Sequence, residues 1–593
     1  MIVLKNNFNH CHLTDTGIVT QSEDKAMIGL FFADVRLFKR YEWQFGPFDL
    51  LQKKTSSLTE MTQFWALLSH HYQRVSLVRS FSITAHQCID TLVFENHTNQ
   101  AETLNIGLMI GFDATDAMTL RGVGGAVKAE RVSEGSSFSV RFPDGRSQRV
   151  SYKVTLDEAE LERLPESITL QPGESRPLSV TITYEASSYR MPAYQPGSNP
   201  YTNQSVSSQS WNDLIGLLFN TEQGVVPAAG IPRFVCPFGR DSLLTAFFVK
   251  ESLPEIALGT LHFLAHHIGR TTDPRRDEEP GKILHEYRWG PASQSNAIPF
   301  APYYGSADAT ALFVWLWAEM SQGEHAESLS ALWPAVESAV DWLLFKLDEG
   351  QGFIRFRENK QGLVYQGWKD SSISMCHQDG RLASGAIAVV EVQGYTWAAL
   401  SKIDPLVAMH SDEKRASAVR QQAQSLYDRI QTRLWDDELQ FYVMGLDGND
   451  ETMRVISSNA GHLLWAGAVP QSRAAPMAER LFDKSMWSGW GFRTLAAGEK
   501  GYNELSYHNG SVWPHDTGLV AWGLRNYGFE HEFQSVALAV HSLAKALPDL
   551  RLPELISGYE RADDAPPIPY PGTCIPQAWS AAALLYLSDR KNM

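Results

Sequence analysis

Cysteine is scarce in this chain. Five stand among 593 residues (Cys11, Cys88, Cys236, Cys376, Cys574), scattered, odd in number and without a CxxC pair. That pattern suggests neither a disulfide framework nor a zinc knuckle, and a reducing cytoplasm is the expected setting. No apolar run approaches the length of a membrane span. The opening MIVLKNNFNHCHLTDTG lacks the apolar stretch and small-residue cleavage site of a signal peptide. There is no phosphate-cradling glycine run ending in Lys-Ser/Thr, no HExxH and no nucleophile elbow, so no metal and no cofactor are expected. Positive charge is also short. Against 67 Asp and Glu there are 51 Lys and Arg, a formal net charge of −16 that would repel nucleic acid and anionic lipid. A neutral or cationic partner suits that field better, although acidic surfaces are common in soluble proteins.

What is present is a globular composition, with 44% apolar and 20% charged residues, in a chain long enough for two or three domains. The first third reads as short strands, such as Thr91–Phe94, Leu104–Ile110, Ser137–Arg141 and Ser179–Tyr184. Asn96–Asn99, Gly122–Gly125 and Pro172–Gly173 break them up. Many short strands at close spacing favour a β-sandwich over residues 1–188. The Pro-, Ser- and Asn-rich stretch within 189–205 reads as a linker.

From residue 206 to 593 the pattern becomes helical. Twelve segments are predicted: 207–221, 241–252, 254–269, 308–321, 325–347, 383–403, 413–434, 459–467, 471–483, 511–526, 530–546 and 576–588. Short links join the second to the third, the fourth to the fifth, and so on in pairs. Long, motif-rich links lie between the pairs. Six hairpins with every long loop at one end give a ring of six inner and six outer helices, and the long loops roof one mouth where a site is expected.

Those loops carry carboxylates, arginines and aromatics. CPFGRDS holds Arg240 and Asp241. LHEYRWGP and PYYGSADAT hold Glu286, Arg288, Tyr303, Tyr304 and Asp308. YQGWKDS holds Trp368, Lys369 and Asp370. SGWGFRTL and SYHNGSVWPHD hold Trp490, Arg493, His508, Asn509, Trp513, His515 and Asp516, and RLPELISGYE holds Glu554. Seventeen tryptophans are many for this length. Flat aromatic faces suit sugar rings, though most tryptophans in most proteins are core. Carboxylates and aromatics without a metal or nucleotide motif point to glycoside cleavage, in which one carboxyl protonates the leaving oxygen and a second activates water.

From PRFVCPFGRDS to CIPQAW the chain resembles the glucosidase domain of glycogen-debranching enzymes, the amylo-α-1,6-glucosidase-like branch of (α/α)6 hydrolases. GLFFADVRLFKRYEW is similar to the opening of the N-terminal domain of bacterial and archaeal members. The resemblance implies an N-terminal β-sandwich followed by an (α/α)6 barrel. It implies an inverting, exo-acting enzyme that releases a glucosyl unit from an α-glucoside or α-glucan oligosaccharide, with α-1,6 linkages among the candidates. It assigns the general acid to Asp370 in the G-W-x-D motif and the general base to Glu554 in L-P-E-L, and it gives Arg240 and Asp241 the hydroxyls of the glucosyl unit. Glu286, Arg288, Tyr304, Asp308, Trp368, Lys369, Trp490, His508, Asn509 and Trp513 complete the expected substrate contacts. There is no transferase barrel of the kind found in bifunctional debranching enzymes.

Each residue also has a plainer reading. Asp370 precedes two serines and could cap the sixth helix. Glu554 could be a surface glutamate, and Glu504 a bystander. Asp241 is the rival acid; paired with Arg240 it would have a depressed pKa, which suits hydroxyl binding instead. Asp308 and Asp516 could cap helices or bind sugar, and Trp368, Trp490 and Trp513 could be core. His508 and His515 lack a third metal ligand. Two alternatives stand beside hydrolysis: a related (α/α)6 phosphorylase or epimerase, and a non-catalytic carbohydrate-binding protein.

Overall fold

The strict alternation of buried and half-exposed side chains along Tyr72–Ile83, Gln87–Asn96 and Ser175–Ala186 marks strands with one face in a core. In the computed structural model, which describes residues 1–20, 27–55, 57–69, 72–359, 362–563 and 565–588, these strands lie in the larger of the two main antiparallel sheets of the β-rich part. The first sheet runs Ile2–Asn6, Asn9–Leu13, Gly29–Phe32, Val35–Gln44, Gly107–Asp116 in spatial order. The second runs Glu130–Glu134, Ser137–Arg141, Ser147–Leu156, Ser175–Ala186, Gln87–Asn96, Tyr72–Ile83, Glu60–Ser69, Asp49–Lys54, with Ala159–Leu161 beside Ser147–Leu156. Residues from both sheets share one core. The run expected at Leu104–Ile110 is two strands, Glu102–Asn105 and Gly107–Asp116, which pair with different neighbours.

The KRYEW motif has a structural purpose. Asp90 is fully buried, and its carboxylate accepts from Arg79 Nε (2.9 Å) and Nη2 (2.8 Å), Tyr41 Oη (2.9 Å) and Trp43 Nε1 (2.7 Å). Four donors compensate a charge that the core could not otherwise hold. The ADV of the same motif makes a two-residue hairpin turn, with Ala33 and Asp34 at φ 47° and 64°. Positive φ at both positions is the backbone such a turn requires, and it puts Asp34 at the tip.

Twelve principal helices follow: α1 Ser205–Leu217, α2 Gly239–Val249, α3 Pro254–His266, α4 Ala309–Met320, α5 Trp333–Glu349, α6 Val390–His410, α7 Glu413–Arg429, α8 His462–Ala466, α9 Gln471–Phe482, α10 Pro514–Asn526, α11 Glu530–Ala546 and α12 Ala578–Ser588. The even-numbered helices pack each on the next, and α12 returns to α2 to close a ring. Their sequences explain their place. All eleven residues of α2 are buried, whereas α7 buries Ala416, Val419, Ala423 and Leu426 on one stripe. Helices that are apolar all round sit inside, and striped ones sit outside.

The boundaries shift where local chemistry intervenes. The sixth helix begins at Val390 and not at 383, because Ala388–Val389 first pairs with Gly445–Leu446. The helix expected over 325–347 is a short turn, Ala326–Ser330, followed by α5 with Pro334 in its first turn. No helix of the described residues is long and apolar enough to cross a membrane.

The two parts are tied by buried polar contacts. Lys5 Nζ donates to Gly216 O (3.3 Å) and Leu218 O (2.8 Å) at the C-terminal end of α1, and burial holds its pKa well below the ordinary lysine value. Asp34 accepts from the Trp289 amide at 2.9 Å and lies 3.6 Å from Arg288 Nη1.

Candidate active site

Three of the six inner helices open on charged side chains. Arg240 and Asp241 open α2, Glu391 opens α6 and Asp516 opens α10. Phe238, just before α2, is extended and bridges the backbone of Glu286, which bridges Tyr303 in turn. Gly239 must be glycine here, since a Cβ would stand 2.1 Å from the Leu284 carbonyl oxygen.

Arg240, 3% exposed, organises the centre. Its Nη1 donates to both Asp308 oxygens (3.2 and 3.0 Å), and its Nη2 donates to Asp370 Oδ2 at 3.2 Å. Asp308 is fully buried and also accepts from Ser306 Oγ at 2.6 Å. The expected Arg240–Asp241 pair is therefore replaced by Arg240 with Asp308 and Asp370. Neighbours in sequence point about 100° apart on a helix and do not face each other. Asp241 has no hydrogen-bond partner among the described residues. Burial raises its pKa to about 7, with Arg240 opposing and Glu554, Asp370 and Asp308 adding to the rise. The expectation of a depressed pKa is overturned.

Asp370 lies in the loop before α6. No helix begins within its next residues, which removes the capping reading. The loop is held from several sides: His508 Nδ1 accepts from the Ser371 amide (3.3 Å) and lies 2.9 Å from its hydroxyl, Asn509 Nδ2 donates to Ile373 O (2.7 Å), and Ser374 Oγ donates to Lys369 O. The Asp370 side chain keeps 28% of its surface open. Burial raises its pKa to about 6, Arg240 pulls it down, and Asp308 and Glu286 push it up.

Glu554, 4% exposed, accepts from Tyr507 Oη at 2.5 Å on one oxygen. The other accepts from Thr573 Oγ1 and the Cys574 amide, both at 3.4 Å. Burial lifts its pKa to about 7 against these donors, and Asp370 adds to the rise. Asp241, Asp370 and Glu554 thus share one electrostatic environment, and the charge on any one disfavours ionisation of the others.

Several expected substrate contacts are structural instead. Asp308 and Lys369 have no exposed surface; Lys369 Nζ is committed to Thr494 O at 2.5 Å. Arg288, 1% exposed, is tied to Glu286 Oε1 (2.5 Å) and Arg233 O (3.2 Å). Tyr304 Oη donates to His267 O, at the C-terminal end of α3, at 2.8 Å. Trp368 and Trp513 are barrel core, meeting His508 and His515 ring against ring. Trp490 lies under Arg561 at 4.5 Å. His508 and Asn509 hold the Asp370 loop, and Glu286 braces Arg288 from beside the centre. Tyr507 and Thr573, which donate to Glu554, are not singled out by the sequence; Tyr507 stands one residue before His508 in the SYHNG motif.

The one group of metal-ligating type among the described residues is His377, Asp447 and Glu451. Arg381 Nη2 already donates to both Glu451 oxygens (2.8 and 2.9 Å), so the charge there is met by a guanidinium.

The N-terminal part, residues 4–181, matches the family described as the N-terminal domain of (some) glycogen debranching enzymes. Residues 306–551 match the mannosylglycerate hydrolase MGH1-like glycoside hydrolase domain. Among curated proteins none matches this sequence. A bacterial glucoamylase solved with acarbose has a TM-score of 0.57 at 12% identity, over 94% of this chain and 90% of its own. A mannosylglycerate hydrolase of Thermus thermophilus, solved with Tris and D-glycerate, gives 0.47 at 15% identity, over 62% of this chain and 97% of its own. The glucoamylase likeness spans both the β-rich part and the helical ring, and it is a likeness of fold.

Proposed function

We propose that this chain, an (α/α)6-barrel glycoside hydrolase carrying the N-terminal domain of some glycogen debranching enzymes, is an exo-acting, inverting α-glucosidase, with α-1,6-linked glucosides among its candidate substrates. One observation carries the reading: two raised carboxyls, Asp370 and Glu554, are held by different partners at one mouth, with an unpartnered third, Asp241, beside them. Asp370, raised yet partly open, is the general acid for the leaving oxygen. Glu554, fixed by Tyr507 and Thr573, is the base that takes a proton from water. The free oxygens of Asp241 accept hydroxyls of the glucosyl ring. Inversion needs room for that water, so the two carboxyls should stand about 6.5–9.5 Å apart in a sugar complex. A phosphorylase would bring its own anion as nucleophile and would leave the three donors on Glu554 without a purpose. The five cysteines, all free and buried, suit a reducing cytoplasm.

The test is proton NMR of the sugar first released from an α-glucoside in phosphate-free buffer. β-Glucose supports the reading. α-Glucose would mean retention, and product formation only with added phosphate would mean phosphorolysis.

A further inference from the structure

Outside the centre, between α5 and the long loops that follow α3 and α5, lies a cavity of about 500 Å³. Trp342 and Lys346 of α5 line it together with Ser306, Ala307 and Gln366, whereas Asp241, Asp370 and Glu554 do not. It adjoins the centre all the same. Ser306 Oγ donates to Asp308 at 2.6 Å, and the Ala307 amide donates at 2.9 Å to the carbonyl of Gln366, which precedes Asp370 in the same loop. A volume of this order is that of an ordinary small-molecule site.

The wall carries four basic and four acidic side chains, so it has no net charge. Each carboxylate already has a partner. Asp277 accepts from Tyr303 Oη (2.7 Å) and Glu279 from Trp342 Nε1 (2.8 Å), while Lys346 pairs with Glu349 (2.6 Å) and Arg355 with Asp450. These contacts fill only part of the roughly four acceptor positions a carboxylate offers. Two polar side chains are left over. Gln366 is 5% exposed, and its carboxamide has no hydrogen-bond partner among the described residues. Arg357 is exposed and has none among them either. A buried carboxamide is costly unless something bonds it. Lys282, 4% exposed, spends one donor on Asp277 O (3.1 Å) and keeps the others.

Spare donors and spare acceptors thus stand around one space. An anion would meet four carboxylates there, and a cation would meet Arg357 and Lys282. A neutral molecule rich in hydroxyls can use both kinds, since each hydroxyl donates and accepts. Trp342 and Phe356 supply apolar surface beside the polar groups, the mixture usual in small-molecule sites.

We infer that this cavity is a second, non-catalytic site for a neutral saccharide of the α-gluco class, in which Gln366 and Arg357 bond ring hydroxyls. The choice of an α-gluco ligand rests on the proposed function; the site itself rests on the cavity.

The test is a calorimetric titration with 4-thiomaltose, a neutral disaccharide whose sulfur bridge resists hydrolysis, and with inorganic phosphate as the anionic comparison. The unaltered protein should bind thiomaltose in two separable events. Asp241→Asn should weaken the event at the centre and leave the other. Gln366→Leu and Arg357→Gln should each weaken that other event by about tenfold and leave the first. Arg357 is exposed, so its variant does not threaten the fold. If the proposed function fails, the event sensitive to Asp241 is missing and the one sensitive to Arg357 and Gln366 remains. The inference is overturned if every thiomaltose event is lost in Asp241→Asn, or if neither cavity variant changes binding. Phosphate binding through Arg357 without thiomaltose binding there would overturn it too.

Discussion

Arg240 bonds Asp308 through one terminal nitrogen and Asp370 through the other, so a single guanidinium holds the proposed acid at one end and a fully buried counter-charge at the other. Asp308 fixes Arg240, and Arg240 keeps Asp370 from rising further than about 6. Replacing Arg240 by Gln should raise the Asp370 pKa and leave Asp308 buried and unpaired. Both kcat/KM and stability should fall, the latter by about 3–5 kcal/mol. Asp308→Asn should lower activity with a smaller loss, because an amide can still accept from Arg240. Denaturant unfolding and glucoside kinetics on the two variants check this.

The pH profile follows from the proposed pair. The productive state holds one proton on Asp370 and none on Glu554, and the two groups titrate together near 6 and 7. A plot of kcat/KM against pH should be a bell with limbs near these values. The basic limb belongs to Glu554, the group of higher pKa. Tyr507 donates to the carboxylate form of Glu554, so Tyr507→Phe should raise that pKa and move the basic limb to higher pH. With the shared proton drawn toward Glu554, the maximum should fall about tenfold. An unmoved limb would detach Tyr507 from the base.

Asp241 links function to stability. Its folded pKa is about 7 against an ordinary value of 3.8, so the folded chain binds more protons than the unfolded one between those values. A raised acid contributes stability that is fully present below its unfolded pKa and lost as pH rises through the folded one. At pH 8 its charge is therefore a cost, and Asp241→Asn should raise Tm there while doing little at pH 4. The same variant should lose kcat/KM sharply, because a buried hydroxyl acceptor has been replaced. Retained glucoside hydrolysis in Asp241→Asn would remove the sugar-binding role.

In the β-rich part, Asp90 offers a check unconnected with catalysis. Asp90→Ala leaves Arg79 buried and unpaired and strips an acceptor from Tyr41 and Trp43, a loss of about 3–5 kcal/mol. Chemical denaturation should show it.

Periodicity made much of this legible in advance. The twelve helical segments, the short and long links and the strands at Ser137–Arg141 and Ser179–Tyr184 follow from local pattern, which is what a one-dimensional reading can see. Pairing across the ring cannot be seen that way. Arg240 and Asp241 are adjacent in the chain, yet Arg240 meets Asp308 and Asp370, 68 and 130 residues away. Lys369, Trp513 and Tyr304 were expected at the sugar because they stand in motif-rich loops. Burial and committed hydrogen bonds give them to the framework, and no sequence signal separates a loop residue facing the mouth from one facing the core. Tyr507 escaped notice because its partner, Glu554, lies 47 residues further on.

The central claim is the division of labour between Asp370 and Glu554. It is tested most directly by comparing the variants Asp370→Asn and Glu554→Gln on an α-glucosyl fluoride and on an α-glucoside with a poor leaving group. General acid help contributes about 10²–10⁴-fold only where the leaving group needs a proton, and fluoride does not. Asp370→Asn should therefore lose the glucoside and keep much of its activity on the fluoride. Glu554→Gln should lose both, since the attacking water needs its base whichever group departs. The opposite pattern, with the fluoride spared by Glu554→Gln and abolished by Asp370→Asn, would contradict the assignment.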